Sequence, residues 1–175
     1  MIPFKFHNST KGLSFLMILF ISFNVFAQNT IDEVIEKYND GSVVYISVEK
    51  LDDLLKADSH VILLDARSFE EYKISHLKNA QYVGYEDFDI EKIKERYAKD
   101  ETLVVYCSIG VRSEQIGEQL QSVGFQKIYN LYGGIFKWFN AQHPIYNPQN
   151  QKTNRIHAYS SFWGEFIKGG EKVYE

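Results

Sequence analysis

Cys107 is the only cysteine of the chain, and it stands in the stretch Tyr106-Cys107-Ser108-Ile109-Gly110-Val111-Arg112-Ser113. A thiol attacks and binds as its anion, so its chemistry depends on what surrounds the sulfur. Arg112 brings a cation five positions on, and Gly110 allows the dihedrals of a tight curl. The amides from Ser108 to Arg112 can then ring the sulfur. A helical pattern beginning near Val111 would aim its positive end at the same point. Such a cradle stabilises a thiolate, a persulfide or a bound oxyanion. The competing reading is an inert cysteine packed at a strand end like any small hydrophobe. Glycine, arginine and helix start together favour the reactive one, because these features depress a thiol pKa.

The elements that must hold this loop follow from periodicity. The uninterrupted apolar run Leu103-Val104-Val105-Tyr106 predicts a buried parallel strand delivering Cys107. Val111 to Val123 predicts the helix after it, closed by Gly124. Val61 to Leu64 is a second buried strand ending at Asp65, which puts a carboxylate where open α/β sheets bind ligands. Ser68 and Glu71 form a capping box for a short helix. Gln81 to Val83 and Lys127 to Leu131 supply further strands, and Val43 to Ser47 a weaker one. Ser47 caps a helix carrying Leu51, Leu54 and Leu55 on one face. Ile90, Ile93 and Tyr97 stripe another helix, and Gly133-Gly134 opens one with Phe136 and Trp138. Strands alternating with helices predict an α/β fold with a mostly parallel sheet covered on both faces.

Asp65, Arg67, Glu71 and His76 lie at or after strand ends and could brace the loop or take part in chemistry. Hydrogen bonds or an ion pair supporting the loop are the expected role of Asp65 and Arg67. No spacing of histidines and carboxylates predicts a metal site, so none is expected, and no cofactor is implied.

The chain has 175 residues, 45% hydrophobic and 24% charged, which suits one compact domain. Residues 1–27 differ in character. Lys5 and Lys11 precede an apolar stretch from Leu13 to Phe26, and small residues stand before Gln28, so a secretory signal cut after Ala27 is expected. A retained anchor is the alternative, although the stretch is shorter than the roughly 20 residues that span a bilayer. Cleavage would remove two lysines and no carboxylates, leaving 17 basic against 23 acidic side chains. Nucleic acid is therefore not an expected partner, nor is stable membrane insertion after cleavage. The expected location is periplasmic or secreted.

Residues 28–42 read as a docking segment with a short helix (Ile31, Val34, Ile35, Tyr38) ending at Asn39-Asp40-Gly41. Residues 43–146 read as the main domain and 147–175 as an aromatic tail. Pro144 to Gln151 has linker composition. Tyr159, Phe162, Trp163 and Phe166 have helical spacing, so the tail could pack on the domain, bind a protein partner or act as a lid.

From about Ile46 to Tyr146 the chain resembles the single-domain rhodanese family of sulfurtransferases. The matching pieces are Leu64-Asp65-Ala66-Arg67 with Glu71-Tyr72, Ser75-His76-Leu77 with Ala80, and Tyr106-Cys107 through Arg112-Ser113. Val123-Gly124-Phe125 and Asn130-Leu131-Tyr132-Gly133-Gly134-Ile135 with Trp138 complete the set in family order. The resemblance implies a five-stranded α/β sheet with the loop at its carboxyl edge and a cysteine carrying sulfur as a persulfide. It implies Cys107 as the catalytic residue, with Ser108, Ile109, Gly110, Val111 and Arg112 binding substrate. It casts His76 as a loop-positioning residue rather than a general base. The implied small-molecule partners are a sulfane-sulfur donor, thiosulfate or a polysulfide or persulfide, and a thiol or cyanide acceptor. Ser75 and Lys78 depart from the usual Gly and Pro. Arg112 is the loop's one cation, where many thiosulfate-using relatives carry more, so thiosulfate is expected to be a poor donor. Two rivals remain: a cysteine phosphatase or arsenate reductase, whose loops hold five residues between Cys and Arg where this one holds four, and a non-catalytic exported binding module.

Overall fold

The computed structural model describes residues 30–57 and 59–174. The segment 1–27 read as a signal lies outside the described residues. In chain order the elements are α1 (Ile31–Tyr38), β1 (Tyr45–Ile46), α2 (Val48–Lys56), β2 (Val61–Asp65), α3 (Phe69–Ile74), β3 (Gln81–Tyr82) and α4 (Ile90–Arg96). They continue with β4 (Thr102–Tyr106), α5 (Val111–Ser122), β5 (Lys127–Leu131), α6 (Gly134–Asn140) and β6 (Ile145–Tyr146). The chain closes with β7 (Lys152–Thr153), β8 (Arg155–His157), α7 (Ser161–Gly164) and β9 (Glu171–Val173).

Helix starts follow local chemistry. The Ser47 side chain accepts the Lys50 amide, and Thr30 and Ser68 each complete a capping box, with Glu33 and Glu71. Five strands form one sheet in the order β1-β5-β4-β2-β3, every pair parallel. The central strand β4 is apolar and buried from Leu103 to Tyr106 because both of its faces are covered. Val104 and Tyr106 enter one core with Leu63, Leu131 and Phe136, while Leu103 and Val105 enter the other with Leu64, Ile116 and Leu120. The period-two alternation of a strand divides them.

Connections leave β2 toward β3 on one side and β4 toward β5 on the other. The crevice outside the carboxyl ends of β2 and β4 is the switch point where such sheets bind ligands. Asp65 and Tyr106 are paired at those two ends, and Cys107 follows at once.

Beyond α6 the structure corrects two expectations. The linker-like stretch from Pro144 to Gln151 contains half of a hairpin, with β6 antiparallel to β7 and Ile145 wholly buried. Tyr146 exchanges backbone hydrogen bonds with His76 at 2.9 Å, so the turn after α3 anchors this segment through a contact far away in sequence. The aromatic helix is a single turn, α7, because Tyr159 takes φ +63° and stands outside it. β8 pairs in parallel with β9, and Ile156, Ala158 and Ile167 join the first core, so these terminal residues pack against the sheet layer. Among the described residues no helix is long and apolar enough to cross a membrane.

Candidate active site

The loop after β4 is shaped by anchoring its carbonyls away from the sulfur. The Ile135 amide donates to Cys107 O at 2.9 Å and the Phe136 amide to Ser108 O at 3.1 Å. Gly134 makes this approach possible: a Cβ there would lie 2.3 Å from Cys107 O. Gly110, at φ +109°, turns its own carbonyl toward the Nδ2 groups of Asn130 (2.8 Å) and Asn39 (2.9 Å). With the carbonyls held outside, the Gly110 amide faces inward and donates to Cys107 Sγ at 3.1 Å. α5 then starts at Val111, so its positive end lies beside the sulfur.

Ser113 Oγ is 3.6 Å from Sγ and 2.7 Å from Asn130 Oδ1. One hydroxyl proton serves both acceptors, so it can turn from Asn130 to the sulfur as the thiol ionises. Cys107 is 1% exposed, and burial alone would push its pKa up. The charge of Arg112 and hydrogen bonds from Ser113 and Gly110 outweigh burial, and the net pKa lies below the ordinary thiol value.

Arg112 is itself held. Its Nη1 donates to Glu71 Oε2 at 2.7 Å, its Nη2 to Glu71 Oε1 at 2.9 Å and to Ser108 Oγ at 3.0 Å. Glu71 is wholly buried, accepts the Ser68 amide in the capping box and accepts the Ser108 hydroxyl at 2.8 Å. Burial would raise its pKa, but the bonds from Arg112 and the charges of Arg67 and Arg112 bring it down to about 2. The loop's cation is therefore half of a bidentate ion pair.

Cys107, Ser108, Ile109, Val111 and Arg112 line one cavity of about 760 Å³, while Gly110 contributes its amide from behind. Asp65, Arg67 and His76 are absent from its wall. Asp65 and Arg67 form a fully buried pair, and Arg67 Nη2 also donates to Ser75 O at 2.6 Å. His76 stacks on Tyr72 with ring centres 4.2 Å apart, its Nδ1 3.1 Å from Tyr72 O.

The structure brings to the site residues that the sequence reading had not placed there. Asn130 ties Gly110, Ser113 and Glu114 together. Tyr159 lies over Arg112 with its ring centre 5.7 Å from the guanidinium carbon, and Trp163 lines the cavity. His157 Nδ1 accepts the Tyr159 amide at 3.1 Å. That bond needs a deprotonated nitrogen, in keeping with a pKa lowered chiefly by burial. The advance signals were the helical spacing of Tyr159 and Trp163 in the aromatic tail and the place of Asn130 among the pieces that carry the family resemblance.

The family model for the rhodanese-like domain matches residues 47–141. The chain belongs to the rhodanese-like domain family. The matched span runs from the cap of α2 through α6 and contains the whole cysteine loop. Two curated relatives of this rhodanese-like domain are both named tRNA uridine(34) hydroxylase. That of Cytophaga hutchinsonii is 37% identical over 87 residues, 48% of this chain and 28% of the relative. That of Legionella pneumophila is 30% identical over 115 residues, 63% and 44%. The chain thus spans less than half the length of either.

Solved structures agree on the fold. The thiosulfate sulfurtransferase of Pseudomonas aeruginosa superposes with TM-score 0.56 at 21% identity, over 71% of this chain and 23% of that one. A rhodanese-like domain from Anabaena gives TM-score 0.55 at 22% identity, over 59% and 78%. A protein from Rhodopseudomonas palustris described as a possible tyrosine phosphatase gives 0.52 at 20% identity, over 67% and 94%.

Proposed function

We propose that this rhodanese-like domain is a sulfurtransferase in which Cys107 carries sulfane sulfur. The observation that carries the reading is the sulfur at the cavity wall, buried yet with its pKa lowered by Arg112, Ser113 and Gly110. A thiolate held there attacks the outer sulfur of a donor. The donor's S–S bond breaks, its electron pair leaves on the remnant, and Cys107 becomes a persulfide. An acceptor thiolate or cyanide then attacks the terminal sulfur and restores the thiolate. The Gly110 amide and the helix end stabilise negative charge on either species. No cofactor is needed for this sequence.

The phosphatase reading is weaker. Arg112 is engaged by Glu71 and Ser108 rather than left open to an oxyanion, and the loop is one residue shorter than in phosphatases. The hydroxylation named for the relatives is not carried over, since the shared span is a fraction of those proteins and a net charge of −4 suits a tRNA polyanion poorly. The proposal includes export, from residues 1–27, with a thiol, cyanide or exported protein as acceptor. Amino-terminal sequencing of the mature protein should begin at Gln28, and a retained Met1 would replace export by anchoring.

The decisive test is a donor reaction followed by intact-mass measurement. Wild type should gain the mass of one sulfur atom on Cys107, and Cys107→Ser should gain none and lose transfer by about a thousandfold or more. Substantial turnover in Cys107→Ser, or para-nitrophenyl phosphate hydrolysis faster than sulfur transfer, would overturn the assignment.

A further inference from the structure

The cavity at Cys107 is built from more chain than the family match. Cys107 to Arg112, Phe69 and Tyr82 fall within residues 47–141, whereas Tyr38, Tyr159 and Trp163 fall outside it. Three aromatic walls are thus additions that the matched domain does not itself contain.

Tyr159 is held there against its own preference. A non-glycine residue at φ +63° is disfavoured and persists only where its surroundings impose it. The imposing contacts are the bond from its amide to His157 and the Ser160 amide donating to Ala158 O at 2.7 Å. The residue is 59% exposed, so burial is not what the turn achieves. What it achieves is a ring over Arg112 at the cavity mouth. Trp163 is fixed beside it by Phe162 and Phe166, at centroid distances of 5.0 and 5.7 Å.

The charges of the cavity are equally distinctive. Among the described residues Arg112 is the only basic side chain of the lining, and both of its terminal nitrogens rest on Glu71. Glu70, Glu86 and Asp87 stand in the same lining. Glu70 has Lys73 at 3.9 Å and Asp87 accepts the Tyr82 hydroxyl at 3.3 Å, which leaves the mouth negative on balance. A compact dianion such as thiosulfate meets repulsion at the entrance and, among the described residues, no uncommitted cation inside. A donor with an aromatic or bulky apolar group and at most one negative charge finds ring faces to stack on.

Resting on the sulfurtransferase reading, we propose that the donor is an organic persulfide or thiosulfonate with a bulky apolar substituent, and that Tyr159 and Trp163 determine this specificity. With a thiosulfonate, the Cys107 thiolate bonds to the terminal sulfur. The bond between the two donor sulfurs breaks, and its electron pair leaves on the sulfinate. With a hydropersulfide the same step releases an organic thiolate, which takes a proton from solvent. Neither case calls for an external oxidant or reductant.

The test is the rate of Cys107 persulfide formation in the full mature chain, with thiosulfate, methanethiosulfonate and benzenethiosulfonate as probes. Benzenethiosulfonate should exceed methanethiosulfonate in kcat/KM by about tenfold, and thiosulfate should be slowest. In Tyr159→Gly, which suits the left-handed backbone, and in Trp163→Ala, the ratio of the two thiosulfonates should fall toward one. Tyr159→Phe should keep it. Thiosulfate reacting as fast as benzenethiosulfonate, or a ratio unchanged in both variants, overturns this proposal while leaving the sulfurtransferase reading standing. No persulfide from any of the three probes overturns that reading, and this proposal with it.

Discussion

Two carboxylate–guanidinium pairs lie close together in this fold and do different things. In the first, Asp65 and Arg67 have no solvent contact at all. Arg67 gives Asp65 hydrogen bonds from its amide, Nε and Nη2, and ties the end of β2 to the end of α3 through Ser75 O. Burial opposes the charge of Arg67, but Asp65 more than compensates, and its pKa is raised. Its Nη1 has no hydrogen-bond partner among the described residues, a cost that a purely stabilising device would avoid. In the second pair, Glu71 is equally buried, but the Arg112 side chain is 23% exposed and borders the cavity under Tyr159. The same chemistry is a backbone clamp where both partners are enclosed. It becomes an electrostatic device where the guanidinium borders the cavity and its field reaches a thiol.

That contrast can be broken by removing one partner at a time. The largest effect is expected from Arg67→Met, which leaves Asp65 enclosed without its counter-charge and should cost about 3–5 kcal/mol in urea unfolding at neutral pH. A loss under about 1 kcal/mol would place this pair with ordinary surface bridges.

Glu71→Gln should come next, at about 2 kcal/mol at neutral pH, since the cap survives in part while the ion pair is lost. Its sharper signature is the pH dependence. The Glu71 pKa is lowered on folding from 4.5 to about 2, so the unfolded chain takes up the proton first. The stabilisation is complete above about pH 5 and fades as pH falls toward 2, amounting to about 3 kcal/mol at most. Urea midpoints measured across that range should lose this acid limb in Glu71→Gln. An identical acid slope in both proteins would show that Glu71 is not the group responsible.

The smallest effect on stability, and the most specific one on chemistry, is expected from Arg112→Lys. A lysine cannot hold both Glu71 oxygens and keep charge beside the sulfur. The thiol titration, followed by thiolate absorbance, should move upward, and sulfur transfer at pH 7 should fall about tenfold with recovery in alkali. An unmoved titration would assign the whole effect on the sulfur to Gly110 and Ser113.

How far each feature could be read in advance depended on the sequence distance of its causes. β2 and β4 stand where their apolar runs predicted, β5 spans the expected Lys127 to Leu131, and Gly124 follows α5 at φ +90° as a terminating glycine should. Ser68 and Glu71 are three residues apart, so their capping box was visible. The partners Glu71 takes beyond that box, Ser108 and Arg112, are 37 and 41 residues away. Nothing in the spacing of Glu71 announces them. The stretch from Pro144 to Gln151 has the composition of a linker, and only the His76 backbone, far upstream, makes a bridge of it. Tyr159 obeys helical spacing with Phe162, Trp163 and Phe166, yet its amide is claimed by His157 and the helix starts after it.

By itself, the sequence determined the parallel α/β layering, the caps, and the placing of Cys107 between a buried strand and a helix start. These rest on interactions within a few residues and on a continuous apolar run that only a doubly covered strand accommodates. Tertiary structure alone decided which carboxylate would face Arg112, which carbonyls would be drawn off the sulfur by α6, and which terminal aromatics would wall the cavity. Each of those depends on segments brought together by the packing of both sheet faces. Burial then fixes their electrostatic weight, because a charge or amide facing a thiol counts for more where water is excluded.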